Sequence, residues 1–361
     1  MKKVLAVTGS LLILGVLYLL LWPVPIDPVA WDAPVNKGLI DPFGPDDRLK
    51  RAKAIELGEH HGPEDVTAGH DGRLYATSSS GAILQIDGYG AVSVYADVGG
   101  RPLGIETDAD GSFVVANAYV GLQRIQRDGT VETLLSEVGG RKLAFADDLA
   151  IADDGTVFFS EASTKFAARD FGGTYEGSLL DIMEHGGHGQ IIEFKPGTGE
   201  ARVIVDDLNF ANGIAISDDQ TYLLIAETGS YRILKIWLEG ATAGSIEVLI
   251  DNLPGFPDNI NNGQNGRYWI GLIAPRVELV DGMAGRPFIR KVVQRLPVIF
   301  RPKAEPYSHV IAINGDGVVL MNLQDPRARF PALTGVLETS DALYLTTLFG
   351  RQLPKLRKED L

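Results

Sequence analysis

The chain has 361 residues, 45% of them hydrophobic, enough for a large core in either one or two domains. Its 47 acidic and 33 basic residues give a net charge of −14, a balance that suits cations and argues against nucleic acid as a partner. With no cysteine, the chain has no disulfides, thiolate metal sites or cysteine nucleophile.

After Lys2 and Lys3 an uncharged apolar run fills residues 4–22. At about 1.5 Å per residue it just crosses a hydrocarbon core of ~30 Å. The positive charge ahead of it places the N-terminus in the cytoplasm and the remainder outside, in the periplasm or extracellular space. The alternative is a signal peptide, cleaved to release a secreted protein. The run is long for that role, and no small-x-small cleavage pattern follows it. The expectation is a single-pass transmembrane anchor over residues 1–22 and an extended linker, rich in proline (Pro23, Pro25, Pro28), over residues 23–50.

From residue 51 to 361 the chain reads as short β-rich runs broken by turns. Turns begin at Asp71, Asp110, Asp154, Asp219 and Asn265, with a sixth near Asp341. Each precedes an aromatic or β-branched run: LYATSS, SFVVAN, TVFFSEA, YLLIAE, YWIGLI and LYLTTL. Third and fourth strands follow in five units (AILQID and VSVYAD in the first). The last unit lacks a fourth strand, and RAKAIEL at residues 51–57 is free to supply it. The expected fold is all-β, a six-bladed β-propeller closed by its N-terminal strand. The competing arrangement is an open sandwich or two small β domains.

Seven residues before the first five turns stand Glu64, Leu103, Asp147, Asn212 and Asp258. Each begins the strand that lines the channel, so symmetry brings them to one end of the axis. Glu64, Asp147, Asn212 and Asp258, with Asn259, form an all-oxygen set. Clustered carboxylates repel unless neutralised, and oxygen donors in irregular geometry suit Ca2+ better than Mg2+. The same topology sends the two long insertions, residues 163–188 and 274–308, to roof that cation. The second carries Arg286, Arg290, Lys291 and Arg295 on an amphipathic stretch, read as a helix over the channel, a lid or a membrane-surface contact. His185 and His188 read as part of a loop, His60 and His61 lie just ahead of Glu64, and Glu161 and Glu227 end second strands as rim or strand-end charges.

The motifs RPLGIE, NFANGIAIS, LLIAET and LPGFPDNI, with PIDP after the apolar run, resemble the strictosidine synthase-like family from about residue 26 onward. That family lies in the wider superfamily of paraoxonases and gluconolactonases, six-bladed calcium propellers that hydrolyse lactones and aryl esters. The resemblance implies a catalytic calcium on Glu64, Asp147, Asn212, Asp258 and Asn259, with Asp147 standing where relatives have asparagine. It also implies a second, buried calcium at Asp65 and Asp148. The paraoxonase histidine pair falls on Leu103 and Ala118, so that base is missing. The glutamate of true strictosidine synthases falls near Thr334 and Gly335, which argues against amine–aldehyde condensation. A gluconolactonase-like role is left for Asp258 in proton transfer. The expected function is calcium-dependent hydrolysis of a small-molecule lactone or carboxylic ester, a metal-activated water attacking the polarised carbonyl with Asp258 or Glu64 as base. The alternative is a non-catalytic, membrane-tethered propeller that binds a ligand or partner and uses calcium structurally.

Overall fold

A computed structural model describes residues 2–361, apart from the side chains of residues 2, 5 and 6. Six four-stranded antiparallel sheets follow one another around an axis. Their innermost strands are Val66–Ala68, Pro102–Thr107, Ala146–Ile151, Ala211–Ile216, Gly255–Asn262 and Leu333–Glu338. The ring closes where Lys53–Glu56 pairs with Gln352–Arg357, Lys53 opposite Lys355 and Glu56 opposite Gln352. That N-terminal strand completes the sixth blade, so the fold is the expected six-bladed β-propeller.

Local chemistry sets the repeat. In four blades an aspartate at the first turn accepts a hydrogen bond from the backbone N–H two residues on: Asp71 from Arg73 at 3.0 Å, Asp110 from Ser112 at 2.8 Å, Asp154 from Thr156 at 2.9 Å and Asp219 from Thr221 at 3.1 Å. At the far end of the second strand another side chain ties back to the approach of the first. Ala144 N–H donates to Glu161 at 2.7 Å, Asn209 N–H to Glu227 at 2.9 Å, and Arg101 N–H to Asn117 at 3.0 Å. Glu161 and Glu227 are therefore buried clasps, further paired with Arg141 and Arg232, and neither is a free rim charge. Apolar residues such as Leu224, Ile233, Ile270 and Ile311 fill the space between neighbouring blades.

Near the axis the inner strands approach too closely for side chains. A Cβ on Gly213 would lie 2.3 Å from Ile260 N and 2.4 Å from Asp258 O, and one on Gly104 would lie 2.8 Å from Asp148 Cα. The glycines of FANGI and RPLGIE thus let adjacent blades touch backbone to backbone.

Four helices accompany the propeller: α1 (Lys2–Leu21), α2 (Thr174–Glu184), α3 (Glu278–Gly282) and α4 (Pro287–Arg295). The amphipathic stretch of the second insertion forms α4, as its pattern predicts. The first insertion carries no helical periodicity, yet α2 forms there. Packing supplies what the pattern lacks: Leu180 and Met183 are buried with Ile26, Phe166 and Met283, and Arg290 of α4 donates to the carbonyl of Met183 at 3.1 Å. His185 ends α2 in the left-handed conformation and stacks on Trp31, centroids 4.0 Å apart, so it belongs to a packed helix end and not to an open loop.

The segment after α1 is extended, as expected, but it does not hang free. Val29 N–H donates to Glu184 O at 2.9 Å, Asp27 N–H to Glu184 Oε2 at 2.7 Å, and Trp31 N–H to Ala284 O at 3.2 Å. Lys291 meets Asp27 at 2.6 Å, and Ile26 is buried. The linker is a strap laid across the roof. Among the described residues no helix is long and apolar enough to cross a membrane. The fold therefore supports a helix at residues 2–21 but not the spanning role expected of it.

Candidate functional site

Both long insertions connect a second strand to a third, so they return to the face where the inner strands begin. There α2, α4 and the turn after α4 enclose a cavity of about 800 Å3. Its floor carries Glu64, Asp147, Asn212 and Asp258. Asn259 lies just beneath and donates through Nδ2 to the carbonyl of Glu64 at 3.1 Å. Residues spread over 196 positions of sequence thus meet at one end of the channel.

The bonding at this floor is incomplete. Asn212 Nδ2 donates to Asp258 Oδ1. Glu64 Oε2, Asn212 Oδ1, Asp258 Oδ2 and Asn259 Oδ1 are buried with no hydrogen-bond partner among the described residues. A buried polar atom without a partner costs free energy, and three oxygens of one register, with a fourth on the neighbouring Asn259, share that condition. The donor set fits a hard cation: carboxylate and amide oxygens, no sulfur, no histidine. Among the described residues no three His, Cys, Asp or Glu side chains are gathered closely enough to hold a metal alone. Amides make up two-fifths of this set.

Charge explains the electrostatics. Burial, then the charges of Asp258 and Asp147, push the Glu64 carboxyl well above its ordinary range. Burial and Asp258 do the same to Asp147. Burial raises Asp258 to about 7, against the hydrogen bond from Asn212. One cation opposes this repulsion. Arg101 is buried, donates through Nη1 to Gly62 O at 3.2 Å, and lowers both Glu64 and Asp147. Three carboxylates and one guanidinium leave two negative charges, the complement of a divalent ion. Arg101 sits in the RPLGIE motif, but its role was not legible there because the register counted Leu103 and passed over the residue two before it.

Asp65 and Asp148 have a different setting. Asp65 Oδ2 accepts from Ile105 N–H at 3.0 Å and Oδ1 from Asn261 Nδ2 at 3.0 Å. Asp148 Oδ2 accepts from Ile214 N–H at 2.9 Å and Oδ1 from Leu149 N–H at 2.8 Å. Asn261 Oδ1 accepts from Val336 N–H at 2.9 Å in the same manner. First blade to second, third to fourth and fifth to sixth, a side chain staples the next inner strand. These donors oppose the burial of both carboxylates without cancelling it: Asp65 is raised to about 6, and burial with the charge of Asp65 pushes Asp148 well above its ordinary range.

The walls are apolar. Phe145, Phe210 and Phe256 line the cavity, each two residues before Asp147, Asn212 or Asp258. Phe145 and Phe210 stand immediately ahead of their inner strands, and Phe256 lies within its own. Phe145 and Phe210 meet edge to face at 5.4 Å. That triplet spacing is plain in the sequence and was a missed signal. Leu103 also lines the cavity, and Leu103 and Ala118 pack in one apolar cluster with Phe145 and Phe210. Where paraoxonases are expected to carry their histidines, this chain has wall. At the strictosidine synthase position Thr334 donates to Glu64 O at 2.6 Å, and a Cβ on Gly335 would lie 2.4 Å from Asn261 Oδ1, leaving no room for a carboxylate. His60 is half-buried and contacts Ser80 at 3.1 Å, and neither it nor the exposed His61 lines the cavity.

The family profile described as strictosidine synthase matches residues 147–241, and that of the strictosidine synthase-like N-terminal region matches residues 41–86. Adipocyte plasma membrane-associated protein of Salmo salar is 32% identical, covering 87% of this chain and 80% of that protein. The strictosidine synthase-like 6 protein of Arabidopsis thaliana is also 32% identical, covering 85% and 82%. A gluconolactonase of Xanthomonas campestris superposes with a TM-score of 0.59 at 17% identity, covering 84% of this chain and 91% of that one. Regucalcin of Agrobacterium tumefaciens, titled a calcium-binding protein, gives 0.57 at 12% identity, covering 84% and 92%. These two likenesses concern the fold. Sequence identity over most of both chains is the stronger tie, and by it the chain belongs to the strictosidine synthase-like family that includes adipocyte plasma membrane-associated protein.

Proposed function

We propose that this protein is a calcium-dependent hydrolase of lactones or carboxylic esters, tethered to a membrane by α1. The observation that carries the catalytic reading is the floor of the cavity: four buried, unpartnered oxygens on Glu64, Asn212, Asp258 and Asn259 beneath apolar walls. Glu64, Asp147, Asn212, Asp258 and Asn259 would hold the ion. A bound divalent cation supplies Lewis-acid polarisation of a carbonyl. The chain's own residues do the rest. The phenylalanine walls exclude water and seat the apolar part of an ester, which orients its carbonyl toward the floor. Asp258 takes a proton from the attacking water and returns it to the leaving alkoxide, with Glu64 as the alternative base. Asp65 and Asp148 act as staples in this reading, without a second ion.

The membrane reading rests on the exposed apolar side chains of α1, Leu11, Leu12, Ile13 and Leu14 among them, and on the name of the relatives. A second reading, a propeller that binds a ligand without turning it over, is favoured by the apolar pair Leu103 and Ala118.

The test is turnover by the purified full chain on a panel of lactones and phenyl acetate, with and without a chelator. Chelator-sensitive hydrolysis supports the enzyme. Calcium binding with no hydrolysis of any ester supports the binding protein.

A further inference from the structure

The roof carries a surface that neither the cavity nor the blades explain. On α4 and the turn after it, Phe288, Ile289, Val298, Ile299 and Phe300 are 53%, 42%, 69%, 71% and 69% exposed. Residues 286–304 hold six Lys or Arg and no Asp or Glu, in a chain whose acidic residues outnumber basic ones 47 to 33. Arg290, Lys291 and Arg295 are used internally, while Arg286 and Lys303 remain exposed. Exposed apolar rings and chains beside uncommitted cations, on a short amphipathic helix, match the chemistry of an anionic lipid surface.

The position of α1 says what covers this surface. Arg295 of α4 donates to the carbonyls of Trp22 and, at 3.1 Å, of Leu19, so α4 caps the C-terminal end of α1. Tyr18 and Trp22 sit at that same end, 44% and 59% exposed, their rings 5.7 Å apart. Aromatic pairs of this kind settle at the headgroup level of a bilayer. If α1 enters lipid, its aromatic end marks the interface, and the Arg295 clamp holds α4 at that depth.

We propose that the exposed face of α4 and the following turn seats on the lipid surface, holding the mouth of the chamber against the bilayer. This rests on the membrane role of α1 given above and is independent of the hydrolase reading. Val298, Gln294, Arg301 and Lys303 line the chamber as well as bordering this face. The segment that meets lipid is therefore also the chamber's outer wall. An amphiphilic ligand can pass from the lipid phase to the floor without crossing bulk water, its polar end meeting Gln294, Arg301 and Lys303 at the outer wall and its hydrocarbon the phenylalanines further in.

The absence of native cysteine makes the test direct. Full-length single-cysteine variants Leu12→Cys, Ile299→Cys and Tyr89→Cys are labelled with an environment-sensitive fluorophore and reconstituted in phosphatidylcholine–phosphatidylglycerol vesicles. Tyr89 is fully exposed at the turn between third and fourth strands of the first blade, on the face opposite the roof. Quenching by acyl-chain nitroxide lipids is compared with quenching by aqueous iodide. The expected result is lipid quenching at Leu12 and Ile299 several-fold above that at Tyr89, with iodide showing the reverse order. A probe at Ile299 that behaves like Tyr89 while Leu12 is quenched by lipid overturns the docking surface and leaves the anchor standing. Iodide access at all three overturns both.

Discussion

Asn212 donates its amide to Asp258, and the oxygens this leaves over, Asn212 Oδ1 and Asp258 Oδ2, have no partner among the described residues. An amide–carboxylate pair normally consumes polar capacity. Here it orients two acceptors side by side, on strands from consecutive blades pressed together at Gly213. The proposed cation would complete the pair. Asp258→Asn should lower calcium affinity at least tenfold, about 1.4 kcal/mol, read by calorimetric titration of the chelator-stripped protein. Unchanged affinity removes Asp258 from the ligand set.

Calcium should also stabilise the folded chain. Binding to the native state alone contributes about 2.7 kcal/mol when the free ion is at 100 times its dissociation constant. Thermal unfolding with excess calcium should therefore lie several degrees above unfolding in chelator, with magnesium less effective because it demands a stricter octahedron.

The pH dependence of the stripped protein follows from the raised carboxyls. Asp258 stands at about 7, Glu64 is raised by burial and the charges of Asp258 and Asp147, and Asp147 by burial and Asp258. In the unfolded chain these groups titrate near 4. Between those limits the native state holds more protons than the unfolded state, so stability falls as pH rises from about 4 to 7. In chelator the protein should melt at a lower temperature at pH 8 than at pH 5.5. With saturating calcium that drop should shrink or reverse, since the ion replaces the protons. Equal pH profiles with and without calcium would mean that these carboxyls do not meet the ion.

Asp147→Asn should separate charge from packing. It installs the amide expected of relatives and removes one of three mutually repelling carboxylates. The stripped variant should be more stable than the parent, and its calcium affinity lower, by up to about tenfold or 1.4 kcal/mol. A packing defect would lower stability with and without the ion alike.

Much of the propeller is legible because its determinants are local. The aspartate turns, the alternating strands and the spare strand at residues 51–57 each announce themselves within a few residues. The floor is legible because symmetry converts a fixed offset from each turn into a place in space. Arg101 and Phe145, Phe210 and Phe256 needed a second offset, two residues earlier, at or just ahead of the start of each inner strand. The roof was beyond that reading. The helical form of α2 depends on Ile26, Met283 and Arg290, which approach it from remote segments. The strap likewise depends on Glu184, Ala284 and Lys291, each more than 150 residues from the Asp27, Val29 or Trp31 that it meets.

Arg290 is the residue on which that roof turns. It is 1% exposed and donates to four carbonyls: Met183 at 3.1 Å and Glu184 at 3.3 Å at the end of α2, Ala284 at 2.8 Å, and Val29 in the strap. A hydrogen bond to a charged group contributes about 1.5–3 kcal/mol, and an acceptor left buried without a partner costs a similar amount. None of the four carbonyls belongs to a blade. Arg290→Met keeps the apolar stem and removes the donors, so the loss should fall on the roof alone. Hydrogen exchange should quicken over residues 26–31 and 180–188, while the inner strands at residues 146–151 and 211–216 keep their protection. Calcium affinity should stay within severalfold of the parent, because the floor is built on those strands. Uniformly faster exchange across the blades would show instead that the roof and the propeller unfold as one unit.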